Sequence, residues 1–195
     1  MSRYALVVGI NTYQYANLPN LKSPCESAEA IAQLLETHGD FHVKRLPAAK
    51  DKENNSLRVA RTLEVTSTKL RQELAQLFKP QADHHPSTAL LYFAGHGLYL
   101  DCGIQESYLA TSDVHPDQGN WGVSLEWLRR LLQQSPVKQQ IVWLDCCHSG
   151  GLMNVDETNP GEKKGYSRCL IAASRLCVRE VRNTRRNGNS FLSVC

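Results

Sequence analysis

The chain has 195 residues, 42% hydrophobic and 21% charged, with 12 Gly and 8 Pro, the profile of one compact soluble domain and not of a disordered, collagenous or repeat protein. Its net charge of +3 belongs to the last stretch, Arg175 to Cys195, which carries five Arg against one Glu and leaves residues 1–174 at −1, so no nucleic-acid partner is expected. No apolar run approaches the roughly 18–20 residues of a membrane span, nothing resembles a signal peptide, and seven scattered Cys without a C-x-x-C pair predict reduced thiols in a cytoplasmic protein.

Tyr4 to Ile10 is continuously apolar, which predicts a strand buried on both faces. A turn-rich loop follows through Asn11 to Asn20. Ser23, Pro24 and Glu26 have the capping-box arrangement and predict a helix with Ala28, Ile31, Leu34 and Leu35 inward and Gly39 at its end. Phe41 to Leu46 predicts a second strand, stopped by Pro47, and the polar stretch Ala48 to Leu63 predicts loop or weak helix. From Thr66 onward Leu70, Leu74, Leu77 and Phe78 recur at helical spacing until Pro80. Thr88 to Gly95 predicts a third buried strand running into His96 and Gly97, and Leu98 to Leu109 a hairpin around Asp101, Cys102 and Gly103. Ser124 caps a helix marked by Leu125, Leu128, Leu131 and Leu132. Gln140 to Cys146 reads as a fourth strand and Cys169 to Ser174 as a fifth, with Leu152 to Tyr166 an exposed linker between them.

Strands alternating with helices predict a mainly parallel α/β sheet, whose ligands bind beyond the carboxyl ends of the strands. There the third strand delivers His96, between Gly95 and Gly97, and the fourth delivers Asp145, Cys146 and Cys147, followed by His148, Ser149, Gly150 and Gly151. An imidazole and a thiol at equivalent strand ends are what a Cys/His nucleophile pair requires. The backbone amides of Gly97 and Cys147 are candidates for an oxyanion hole, an effect worth about 3–4 kcal/mol per donor. Strand alternation puts Asp145 and Cys147 on one face and Cys146 on the other, so Cys146 reads as a small buried residue and Asp145 as a group for a cationic substrate side chain. A metal site from His96, Cys102, Cys147 and His148 lacks the usual ligand spacing, so neither metal nor cofactor is expected.

"YFAGHG" followed by "DCCHSGG", with 51 residues from His96 to Cys147, resembles the caspase-like cysteine peptidases, whose His lies about 50 residues upstream of the Cys, in their metacaspase and bacterial orthocaspase branch. "YALVVGINTY", "LKSPCESAEAIAQLLE", "SDV" and "CLIAAS" extend the resemblance over roughly residues 4–174. It implies the caspase-haemoglobinase fold, a three-layer α/β/α sandwich, and peptide-bond hydrolysis with His96 and Cys147 as the dyad. It also implies that Asp145 lines a pocket selecting Arg or Lys before the scissile bond.

Two pocket positions depart from that pattern. Where relatives carry Asn-Asp-Ala, this chain has Glu26, Ser27 and Ala28, so Ser27 replaces an acid; Ala94 stands where many relatives have Ser. Glu26 is one residue from the missing acid, although a helix turns about 100° per residue and need not bring it to the pocket. Calcium-activated relatives carry an acid cluster on the loops after the His strand; here only Asp101, Asp113 and Asp117 match, and no calcium dependence is expected. Lys163, Lys164 and Arg168 lie in or beside the linker, about 152–168, where caspase-like chains are cut, and are candidates for self-cleavage.

The expected organisation is thus a caspase-like catalytic domain over 1–174, followed by a basic tail or incomplete small-subunit part over 175–195. That last stretch lacks a steady apolar period and reads as an altered end, a disordered tail or a divergent helix. Protein or peptide substrates are expected and no membrane; oligomeric state is not legible. The alternative to an endopeptidase is a catalytically inactive caspase-like module that binds partners or regulates an active relative.

Overall fold

The computed structural model describes residues 2–51, 55–80, 85–147 and 166–172, together with the backbone of 179–182 and 191–194. In chain order the elements are β1 (Arg3–Gly9), α1 (Pro24–His38), β2 (His42–Leu46), β3 (Ala48–Lys50), β4 (Leu57–Val59), α2 (Ser67–Phe78), β5 (Thr88–Ala94), β6 (Gly97–Asp101) and β7 (Gln105–Leu109). Then come β8 (Val123–Ser124), α3 (Leu125–Gln133), β9 (Gln139–Asp145), β10 (Ser167–Ala172), β11 (Arg179–Arg182) and β12 (Phe191–Val194).

The central sheet has the order β10-β9-β5-β1-β2 and every pairing in it is parallel. Parallel neighbours require crossovers, and these put helices on both faces. On one face Ala5, Val7, Leu90, Tyr92 and Ala94 pack under Cys25, Ala28 and Ala32 of α1. On the other, Leu6, Val8, Leu91, Phe93, Val142, Leu144 and Cys146 pack against Leu70, Leu74 and Phe78 of α2 and Leu125, Leu128 and Leu132 of α3. The arrangement is the α/β/α sandwich expected from the sequence. The alternation of neighbouring residues between the two cores explains why β1 and β5 read as continuously apolar.

At the carboxyl rim Gly9, Ala94 and Asp145 stand abreast on β1, β5 and β9. Gly9 is required there: a Cβ on it would lie 2.8 Å from the Cys25 Cα and the Pro24 carbonyl oxygen, where the start of α1 presses onto the strand. Beyond the rim the chain enters a second sheet of order β11-β12-β6-β7-β8, antiparallel throughout. His96 is therefore the joint between a parallel sheet that ends at Ala94 and an antiparallel one that begins at Gly97.

Several local expectations change. The capping box at Ser23 does not form, because Ser23 has helical angles (φ −99°, ψ −24°) and makes no side-chain cap, whereas an N-cap needs extended backbone. The Asn11 side chain instead accepts the Cys25 N–H at 3.0 Å. Leu34 is 54% exposed, since two residues along from buried Ala32 is about 200° around the helix. The stretch 48–63 holds the β3–β4 hairpin, anchored where the Val59 N–H donates to Glu29 at 2.8 Å. Finally, the sequence predicts no strand over 175–195, yet its backbone forms β11 and β12, with β12 pairing β6.

Candidate active site

His96 and Cys147 emerge from adjacent strands at the same rim. Ala94 pairs with Asp145 in the β5–β9 register, and the Gly95 N–H points at the Asp145 carbonyl oxygen at 3.4 Å. One residue beyond His96, Gly97 meets Cys147 backbone to backbone: a Cβ on Gly97 would stand 1.8 Å from the Cys147 carbonyl oxygen and 2.9 Å from its carbonyl carbon. Only a residue without a side chain permits that approach. The two candidate oxyanion amides thus belong to backbones in direct contact.

His96 is 2% exposed and held at several points. Its Nε2 lies 2.8 Å from the Pro19 carbonyl oxygen. A carbonyl only accepts, so Nε2 carries the hydrogen, and the lone pair of the neutral ring falls on Nδ1. The His96 backbone N–H donates to the Tyr13 hydroxyl at 2.8 Å, and the two rings pack with centroids 4.9 Å apart.

The two cysteines have different surroundings. Cys147 is half-buried, whereas Cys146 is 6% exposed within the α2–α3 core. Burial, with the neighbouring Cys147 and Asp145 adding to it, pushes the Cys146 thiol well above its ordinary range, so it stays protonated and inert. Asp145 is exposed at the strand end, and the Tyr92 hydroxyl donates to its Oδ2 at 3.3 Å. Burial first, and the charge of Asp145 second, hold the Tyr92 phenol above its usual range, so it remains a donor. Tyr92 also meets Trp143 edge to face at 5.3 Å.

This placement of a His and a thiol just beyond the ends of neighbouring strands occurs in a chain whose residues 2–190 match the caspase domain. The chain belongs to the caspase-domain family. A search of curated proteins gives no match. Caspase-domain proteins are cysteine peptidases acting on proteins and peptides, and the sandwich described above agrees with that fold.

The other predicted positions fall at different places in the caspase domain, Arg168 near the amino ends of the strands, opposite the rim that carries His96 and Cys147. Ala94 is buried, on the α1 face of the sheet, abreast of Asp145. Ser27 is half-buried in the first turn of α1. Glu26, its neighbour, turns to the surface and pairs with Arg61 at 2.8 Å, both side chains more than half exposed. Arg168 is the second residue of β10, its Nε donating to the Gln140 side chain at 2.8 Å. Lys163, Lys164 and His148 lie outside the described residues.

Of the acids considered for calcium, Asp113 accepts from the Ser67 N–H at 2.9 Å and the Thr111 hydroxyl at 2.6 Å. Asp117 accepts from the Tyr15 hydroxyl at 3.1 Å. Among the described residues no group of three or more His, Cys, Asp or Glu is placed to hold a metal ion, and no helix is long and apolar enough to cross a membrane.

Sequence reasoning passes over Asn11, Tyr13, Pro19 and Tyr92. The first three belong to a single loop. The available signal is topological: that loop leaves the carboxyl end of β1, the strand beside β5, and so belongs to the crevice.

Proposed function

We propose that this caspase-domain protein is an endopeptidase of the metacaspase and orthocaspase type, with His96 and Cys147 as a dyad. The observation that carries it is the contact between Gly97 and the Cys147 carbonyl, which sets the thiol-bearing residue against the neighbour of the His. Nδ1 of His96 takes the thiol proton, and the thiolate sulfur bonds to the carbonyl carbon of the scissile peptide. Amides of Gly97 and Cys147 stabilise the resulting oxyanion. The imidazolium returns its proton to the departing amine as the C–N bond breaks, and water, deprotonated by the same ring, releases the acyl group.

Asp145 receives an Arg or Lys side chain before the scissile bond. Its exposed carboxylate, oriented by Tyr92, supports that reading. With Ser27 where relatives carry an acid, Ala94 where many carry Ser, and Glu26 engaged by Arg61, Asp145 is the principal charge of the pocket. Self-cleavage is assigned to Lys163 or Lys164. Arg168 is a poorer candidate, because its backbone is engaged in the β9–β10 ladder and a protease needs an extended, accessible segment.

Fluorogenic peptides ending in Arg, Lys or Asp, with Cys147→Ala as control, test the proposal. Turnover of the Arg and Lys peptides that disappears in Cys147→Ala is expected. No turnover in the wild type would leave the chain a caspase-like binding module.

A further inference from the structure

We propose that Tyr13 is a positioning residue for His96, fixing the imidazole so that Nδ1 is presented to Cys147. This rests on the Cys–His reading above. Between the end of β5 and the start of β6, the His96 N–H lies at the joint of two sheets, and the Tyr13 hydroxyl takes it at 2.8 Å. The same hydroxyl donates to the Ile10 carbonyl at 3.2 Å, so both of its roles are fixed by backbone partners. The Tyr13 ring meanwhile packs on the imidazole at 4.9 Å, tilted by 54°.

The loop bearing Tyr13 also carries Pro19, whose carbonyl engages Nε2, and Asn20, whose side chain accepts the Tyr13 N–H at 2.8 Å. One segment of about ten residues thus holds His96 by its backbone, its ring face and its distal nitrogen. Its own position is secured by the Gln14 N–H on the Ser112 carbonyl at 2.8 Å and by Tyr15 on Asp117. Gly95 fits the same arrangement, since a Cβ there would come within 2.8 Å of the Tyr13 hydroxyl. Burial keeps the Tyr13 phenol far above its ordinary range, so the hydroxyl stays a donor at every working pH.

Tyr13→Phe removes the hydroxyl and keeps the ring. Two readouts on the full chain test it: steady-state hydrolysis of an Arg peptide, and the pH profile of Cys147 alkylation by iodoacetamide, followed by peptide mass mapping. The expected result is a kcat lower by about tenfold with KM within about twofold, as for a misplaced reacting group. The acid limb of the alkylation profile moves to higher pH, because a misaligned imidazolium stabilises the thiolate less well. A hydroxyl that only supports the fold lowers the melting temperature and leaves both kcat and the pH profile unchanged; that result overturns the proposal. His96→Ala separates the two levels. A profile altered by His96→Ala and not by Tyr13→Phe refutes only the role of Tyr13, whereas one unaltered by His96→Ala removes the dyad as well. Should Tyr13→Phe fail to fold, Asn20→Ala, which releases the Tyr13 backbone at an exposed position, takes its place in both measurements: a lowered kcat with a shifted profile supports the proposal, and unchanged values overturn it.

Discussion

Gly97→Ala is the sharpest perturbation of the site, because it adds one methyl group and removes no polar contact. Its Cβ would begin 1.8 Å from the Cys147 carbonyl oxygen. Real Cβ contacts essentially never fall below 3.0 Å, so one backbone must retreat by at least 1.2 Å, and by 1.6 Å to reach ordinary contact at 3.4 Å. The obstructing atom is main chain, and rotamer change cannot relieve it. A reacting group displaced by about 1 Å loses on the order of 100-fold in rate, and overpacking of this kind costs about 1–3 kcal/mol. At this chain length each kcal/mol lowers the melting temperature by about 2–4 °C, which gives a drop of roughly 2–12 °C. Peptide hydrolysis and thermal unfolding on the same preparation provide both values. A Gly97→Ala protein with kcat within twofold of wild type would refute the idea that this backbone contact sets the nucleophile's position.

Further expectations follow from the same contacts. Cys146→Ala retains hydrolysis while Cys147→Ala abolishes it, and stability alone changes in the former; loss of turnover in Cys146→Ala would reverse the assignment of the nucleophile. Asp145→Asn raises KM for Arg and Lys peptides with a smaller effect on kcat, and equal KM values for both proteins would remove Asp145 from the pocket. Arg45, 9% exposed, is paired with Glu29 at 3.1 Å and Glu36 at 2.6 Å; Arg45→Ala leaves Glu29 uncompensated and is expected to cost about 3–5 kcal/mol in urea unfolding. Glu126 is held down to about 2 by hydrogen bonds and charge from Arg129 and Arg130. Its stabilisation, about 0.3–0.5 kcal/mol for each such exposed helical pair, is complete above the ordinary carboxylate value near 4.3 and is lost as pH falls through about 2. The melting-temperature advantage of wild type over Glu126→Gln should therefore shrink between those limits, and an advantage that grows on acidification would contradict the pairing.

Elements set by local pattern were legible: β1, β5 and β9 from their apolar runs, α2 from its leucine spacing, and α3 from Ser124, whose hydroxyl accepts the Trp127 N–H at 3.3 Å. That His96 and Cys147 emerge at one rim followed from parallel topology, since strands that share a direction bring their last residues to the same edge. Features recruited across the chain were not legible. Asn11 displaces Ser23 as the cap of α1, and the β3–β4 hairpin depends on Glu29, 30 residues before Val59. Tyr13 reaches His96 over 83 residues. In each case the deciding partner lies on another element, where neither periodicity nor turn composition can register it.

The attachment of β10 to β9 and of β12 to β6 has a mechanical consequence. A polypeptide interrupted between β9 and β10 keeps its trailing fragment hydrogen-bonded into two separate sheets, through β10 to β9 and through β12 to β6. Severing the chain there is expected to give two bands on a denaturing gel and a single co-eluting species in native size-exclusion chromatography. It also creates two new termini, while Tyr13, Pro19 and Asn20, which hold His96, stay with it on the leading fragment.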